Sequence, residues 1–278
     1  RDGNPYISTL PPEYLSLGSL LEKNVTNPFH NAGLPENGYL ITRPTIPYKY
    51  LLLTKPHLLG GARVLRQPGG NSQYLAGFFR VERRFSRGLS VLLSYTVSKL
   101  IEDTSGKASS AYRLPQDGVS SRDMRGLSVQ DIPQKLVATF LYELPVGRDK
   151  ALLGNPQGTG QKILEGILGG WRLGGFWMLQ SGYPLQITQS TSFPSGLGYG
   201  ELRPTLVGDY HAGTSVRDAV GFPTQARARY LRKEAFAVTP KYQFGTVPHV
   251  LPDLRQPRFN QLDLAIMKNF RLGENRYI

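Results

Sequence analysis

Five stretches of the chain alternate apolar and polar residues over about ten positions or more, and this period of two limits the fold more than any other feature of the sequence. In residues 71–85, Leu75, Phe79, Val81 and Phe85 share one face, while Tyr74, Ala76, Phe78, Arg80, Glu82 and Arg84 share the other. In residues 89–103, Leu89, Val91, Leu93, Tyr95, Val97 and Ile101 stand against Ser90, Ser94, Thr96 and Ser98. Ser86-Arg87-Gly88 joins these two runs as a short turn, with Gly available for a positive φ. The third run sets Leu136, Ala138, Phe140, Tyr142 and Leu144 against Val137, Thr139, Leu141 and Glu143. In the fourth, residues 170–187, Trp171, Leu173, Trp177, Leu179, Tyr183, Leu185 and Ile187 share a parity, with Trp171 and Tyr183 near opposite ends. The fifth places Leu262, Leu264, Ile266 and Phe270 on one side and Gln261, Asp263 and Asn269 on the other, and a sixth strand is expected from Arg276.

Strands in soluble sheets usually run about five or six residues, whereas a strand crossing a bilayer needs about 9–11. The connections carry a matching rhythm. Long polar segments follow the second and fourth strands, and shorter ones follow the first, third and fifth, as in barrels with long extracellular loops and short periplasmic turns. The 145–170 link is long for a turn, and Ile163–Leu168 reads as a short helix at the periplasmic rim. The expected fold is therefore all-β, a partial antiparallel transmembrane β-barrel of about six long strands from a larger barrel, with long extracellular loops. Within one domain, 1–278, residues 1–72 read mostly as loop, with one short helix after Pro11-Pro12. Residues 73–102 are the clearest hairpin and 188–258 a long loop. A two-sheet sandwich, its apolar face simply its core, is the alternative that alternation alone leaves open. About six strands cannot close a membrane barrel, since eight is roughly the smallest, so missing neighbours are expected.

Glycine (31) and proline (21) favour turns over long helices. With no cysteine, the chain can form no disulfide, thiolate metal site or cysteine nucleophile. The net charge of +13 is spread along the chain. Its densest cluster, Arg80, Arg83, Arg84 and Arg87, includes Glu82 and lies on no basic helix, so no nucleic-acid partner is expected. Outer-membrane lipid and lipopolysaccharide phosphates are the expected anionic partners. Residues 1–15 lack the apolar region of a signal peptide, and no run of 18 apolar residues occurs.

Several phrases resemble Oar-like TonB-dependent receptors, in that family's order: LPPEYLSLGSLL, NSQYLAGFFRVERRFSRGLSVLLSYTVSKLIED, FLYELPVGRDK, GGWRLGGFWMLQSGYPLQI, RPTLVGD, EAFAVTPKYQFGTVP and RFNQLDLAIMKNFRL. The resemblance implies an outer-membrane barrel, in this superfamily of about 22 strands. It also implies a plug and a TonB-contacting segment supplied by an N-terminal part of the full-length protein. The chain would then be a receptor fragment in the Gram-negative outer membrane. It would contribute to uptake or binding of an unknown ligand, with the TonB complex reached only through that N-terminal part. A surface adhesion or matrix barrel and a secreted carbohydrate-binding sandwich are the alternatives.

No catalytic set is legible, and the chain is expected not to be an enzyme and to need no cofactor or metal. His30, His57, His211 and His249 are scattered without ligand spacing. Glu102, Asp103, Asp117, Asp123 and Asp131 match no calcium loop. Gly154–Lys162 lacks the order of a phosphate loop, and GxSxG is absent. Tyr112, Arg113, Tyr199, Tyr210 and Tyr230 are loop residues of types suited to ligand contact. The candidate site residues are membrane-interface aromatics: Trp171, Trp177, Tyr183, Tyr95 and Phe270.

Overall fold

The computed structural model describes residues 8–32, 42–56, 70–103, 116–117, 124–147, 150–155, 157–189, 202–213 and 230–270. The expected sixth strand at Arg276, and His57, Tyr112, Arg113, Asp123 and Tyr199, lie outside these residues. In chain order the strands are β1 (Asn24–Thr26), β2 (Thr45–Pro47), β3 (Ser72–Ser86), β4 (Leu89–Glu102), β5 (Gly126–Leu127), β6 (Gln134–Glu143), β7 (Trp171–Gln180), β8 (Pro184–Leu185), β9 (Thr205–Leu206), β10 (Phe236–Ala237), β11 (Leu251–Arg255) and β12 (Phe259–Lys268). The α-helix among the described residues is α1 (Thr159–Leu168).

The chain divides into two compact units. The sheet unit takes Leu75–Lys99, Ile132–Gly182 and Pro257–Ile278. Its strands lie in the order β12-β7-β6-β4-β3, so each alternating stretch of the sequence supplies one long strand. The pairs β12/β7, β7/β6 and β6/β4 are antiparallel and run without a register shift over nine or ten residues. Because side chains alternate at every residue, the register decides which rows share a face. On one face the rows are Leu89, Tyr142, Leu173, Ile266; then Val91, Phe140, Gly175, Leu264; then Leu93, Ala138, Trp177, Leu262; then Tyr95, Leu136, Leu179, Asn260. The other face carries Ser90, Ser94, Thr96, Thr139, Lys135, Glu143, Arg172, Asp263 and Gln261, interspersed with Leu92, Val137, Leu141, Phe176, Met178, Phe259, Ala265 and Met267. One face is thus mostly apolar, with Lys268 at its end, and the other carries Lys135, Glu143, Arg172 and Asp263.

Two features set the sheet's geometry. The β3–β4 turn needs left-handed backbone at Arg87 (φ 51°) and Gly88 (φ 81°). At Gly88 a side chain would also fall 2.9 Å from the Glu143 carbonyl oxygen, whose own amide donates to the Gly88 carbonyl at 2.7 Å. Further along, the Phe140 ring of β6 lies across Gly175 of β7, occupying the space that a β-carbon would fill. An aromatic ring covering a cross-strand glycine restores packing that the glycine itself cannot supply.

The fourth alternating stretch does not continue as one strand to Ile187. β7 stops at Gln180, and Pro184 and Leu185 pair instead with β11. Gly182 weakens the strand and Pro184 has no amide hydrogen to give to a ladder, so the pairing ends where these residues occur.

The loop unit takes Arg1–Tyr74, Leu100–Asp131 and Tyr183–Gln256. It has cores of its own. Leu10, Leu15, Leu21, Ile46, Tyr50 and Leu53 form one, and Val247, Leu251 and Leu254 with Leu206, Tyr210 and Phe236 around them form another. The helix expected after Pro11-Pro12 is a run of 3-10 turns, Pro12–Glu22, interrupted at Gly18 (φ 53°). Its strands are two to five residues long apart from the strand ends it shares with β3 and β4, so side chains take over the work of ladders. Gln116 accepts from Arg203 N (3.1 Å) and Gly245 N (3.2 Å) and donates to Gly245 O (3.0 Å). Gln189 and Thr239 bond reciprocally through Thr239 N (2.8 Å) and Thr239 O (3.2 Å).

The packing at Gly175 gives a direct test. Gly175→Ala puts a methyl group into the Phe140 ring and is expected to cost about 1–3 kcal/mol, the usual range for overpacking. Gly174→Ala, whose nearest neighbour would be the flexible Met267 methyl at 3.4 Å, is expected to be nearly neutral. Urea midpoints of the two variants in lipid vesicles measure the difference.

Candidate functional site

The apolar face of the sheet unit runs across β4, β6, β7 and β12. Leu262 (55%), Leu264 (58%) and Ile266 (71%) on β12 are largely exposed. Large apolar side chains at this exposure would be a liability in water. At one end of this face, Trp171 stands opposite Lys268. The Lys268 ammonium lies 4.9 Å from the Trp171 ring centroid and 5.2 Å from that of Phe270. It donates to the carbonyls of Gly166 (2.7 Å) and Ile167 (2.5 Å) at the C-terminal end of α1, and the Trp171 indole also donates to Ile167 O at 2.9 Å. Cations and donors at a helix C-terminus satisfy its orphan carbonyls. Three and four rows away, Trp177 and Tyr95 occupy neighbouring levels, and Trp177 Nε1 donates to Asn260 Oδ1 at 2.7 Å. At about 3.4 Å per residue, Trp171 and Leu179 are separated by about 27 Å along the strand.

The opposite face carries a built ion pair. Glu143 and Arg172 are cross-strand partners; Arg172 Nη2 meets Glu143 Oε1 at 2.5 Å, and Lys150 Nζ meets Oε2 at 2.9 Å. One carboxylate thus takes two cations on a face that also presents Asp263 and Lys135.

The loop unit holds two polar constellations. In the first, His211 lies between Asp209 (Nδ1 to Oδ1, 2.6 Å) and Asp253 (Nε2 to Oδ2, 2.7 Å). Tyr210 donates its hydroxyl to the remaining oxygen of Asp253 at 2.7 Å and stacks on the His211 ring at 4.4 Å. Hydrogen bonds to Asp209 and then to Asp253 raise the His211 pKa, because only the imidazolium donates from both nitrogens at once. Hydrogen bonds from His211 hold Asp209 below the ordinary carboxylate range. Asp253 is also lowered: burial opposes this, but its bonds from Tyr210 and His211 prevail. Burial, followed by the adjoining Asp253 carboxylate, pushes Tyr210 up to about 12. The second constellation is a cleft of about 270 Å³ lined by Asn71, Ser72, Gln73, Ile101, Glu102, Asp103 and Arg125. Burial disfavours the charged form of Asp103, yet bonds from Asn71 and the charge of Arg125 outweigh it and lower the pKa.

A family model described as an outer membrane beta barrel domain matches residues 24–278. The chain belongs to that family. Searches of curated proteins and of solved structures return no match. The family sets the chain in the outer membrane of a Gram-negative bacterium, so the sheet unit is a stretch of barrel wall crossing lipid with strands. Among the described residues no helix is long and apolar enough to cross a membrane, which has no bearing on crossing by strands. In such a wall the apolar rows face lipid and the charged face turns inward. The short Arg87-Gly88 turn and the 144–170 link leave the sheet at one end, the periplasmic one by the usual arrangement, and the long connections leave at the other.

Of the aromatics picked from sequence, Trp171 and Phe270 fall together at the short-turn end, and Tyr95 and Trp177 toward the opposite end. Tyr183 belongs to the loop unit, where its carbonyl accepts from Gln256 N at 2.8 Å. Tyr142, in the row next to Trp171, was not singled out, although its parity within 135–144 marks the same face. The loop acids hold separate partners. Glu102 accepts from Ser128 Oγ (2.6 Å), Asp103 from Asn71, and Asp131 from Leu100 N (2.7 Å) and Arg255 (2.6 Å). Among the described residues no three His, Asp or Glu side chains come together as a metal site. The Asp253 partnership of His211 spans 42 residues and leaves no local signal in the sequence.

The His211 cluster predicts a titration. An NMR pH titration of His211 should show a midpoint above the ordinary imidazole value of about 6.5. Asp253→Asn should bring it down. The raised folded pKa means that the cluster's contribution to stability is complete below about 6.5 and is lost as pH rises through the folded midpoint. A midpoint unaffected by the substitution contradicts the bridging role of Asp253.

Proposed function

We propose that the chain forms part of the wall and outer loops of a TonB-dependent receptor that takes up an organic ligand or metal complex. The observation that carries this is the charged inner face: Lys135, Glu143, Arg172 and Asp263 line the side of the wall turned from lipid, as a hydrated or plugged lumen requires. The ordered likeness to Oar-like receptors supplies the family of transporters. The plug and TonB-contacting segment belong to the full-length protein, and the loop unit offers its polar cleft and His211 cluster to ligand. The aromatics at the two levels of the apolar face, Trp171 and Phe270 at one and Tyr95 and Trp177 at the other, mark the two lipid–water boundaries. No enzymatic step is assigned to the chain.

Cells carrying the complete gene should deplete a solute from their medium, and lose that depletion when either this gene or the TonB protein is deleted. Loss of surface attachment with unchanged solute uptake would instead favour an adhesion barrel. The lumen has its own test, because the chain contains no cysteine. Asp263→Cys should react with a membrane-impermeant maleimide in intact outer membranes, whereas the neighbouring Leu264→Cys should react only with a lipid-soluble reagent. Equal labelling of both would mean that the wall does not separate lipid from water.

A further inference from the structure

The helix α1 interrupts what should be a short periplasmic turn, and its composition is two-sided. At about 100° per residue, Ile163, Leu164, Ile167 and Leu168 fall within an arc of about 140°, while Lys162 and Glu165 lie outside it. No residue of α1 is buried, and the four apolar side chains are 58%, 48%, 58% and 48% exposed. The helix therefore covers no core with its apolar side.

Its attachment is to the outer face of the wall. The C-terminal carbonyls of α1 are held by Lys268 and Trp171, which are opposed residues of β12 and β7 on the parity of the lipid-facing rows. The helix is thus fastened to the outer side of the wall, at the end where the short connections lie, and its exposed apolar side continues the lipid-contacting surface. Lys162 on the polar flank and Lys268 at the C-terminus add the positive charge that suits anionic headgroups.

We propose that α1 is a membrane-surface anchor whose apolar side lies in the phospholipid of the periplasmic leaflet. The helix lies flat in the headgroup–acyl boundary, with Lys162 toward water and Glu165 against the backbone at Gly147 and Gly169. Trp171 and Lys268 fix its C-terminal end to the wall and thereby set the depth of β7 and β12 in the bilayer. This rests on the barrel wall itself and not on the transport reading.

The test uses the complete protein in vesicles of phosphatidylethanolamine and phosphatidylglycerol. It carries single cysteines at Ile167→Cys, Lys162→Cys or Leu264→Cys, each labelled with an environment-sensitive dye. Nitroxides are placed on the lipids either near the headgroup or near the chain end. The anchor predicts blue-shifted emission at Ile167→Cys that is quenched more by the shallow nitroxide, little quenching at Lys162→Cys, and quenching by the deep nitroxide at Leu264→Cys. Quenching at Leu264→Cys without quenching at Ile167→Cys overturns the anchor and leaves the barrel standing. A blue-shifted Ile167→Cys dye that neither nitroxide reaches also overturns it, showing that protein covers the helix instead. If Leu264→Cys is not quenched either, the membrane wall falls and the anchor with it.

Discussion

Hydrocarbon offers a peptide group no hydrogen-bonding partner, so each amide or carbonyl that enters it unpaired costs several kcal/mol. Nearly everything in the sheet unit follows from that constraint. The three central ladders run nine or ten residues with no register shift, the length that a tilted strand needs to cross. A slip of one residue in any of them would retain most of the backbone bonds but turn Leu262, Leu264 and Ile266 toward the lumen and Asp263 toward lipid. The register is therefore held by side-chain sorting as much as by the backbone. The same constraint bears on β3 and β12, the outermost strands of the open path. In lipid their outer edges must be paired, so further strands are required against both.

Charge placement at the short-turn end obeys the same sorting. Glu143 gathers Arg172 and Lys150 on the inner face, where water or polar groups can surround whatever charge remains. Lys268 is on the outer parity, a costly position for an ammonium. It escapes by being the last residue of its strand and by bonding the carbonyl end of α1 between two aromatic rings. The helix that lengthens this link thus supplies hydrogen-bond acceptors to the lysine that ends β12 on the lipid-facing parity.

The strands were legible because a bilayer-crossing β-strand writes its environment into the sequence at every residue. Leu89 to Val97 and Leu262 to Ile266 keep an apolar residue at every second position, and the structure converts that parity directly into a face. The fourth stretch misleads because parity alone persists through Gly182 and Pro184, although Pro184 cannot serve a central ladder and β7 ends before it. Partnerships across long separations were not legible. Asp131 with Arg255 and His211 with Asp253 join residues 124 and 42 positions apart, and neither periodicity nor local spacing encodes such pairs.

The loop unit shows why those distant pairs carry so much of its structure. Its own strands are short, so backbone ladders alone cannot fix its segments against one another. Buried polar side chains do that instead: Gln116 binds the backbone of both Arg203 and Gly245, and the nearly inaccessible Asp131 carboxylate binds Leu100 N and Arg255 together. Removing one partner of such a buried charged pair leaves the other uncompensated, which typically costs about 3–5 kcal/mol. With two apolar clusters of its own and polar clamps of this kind, the unit holds its fold by contacts that use none of the lipid-facing rows. The exposed Asp209 can therefore change without disturbing the register of the wall.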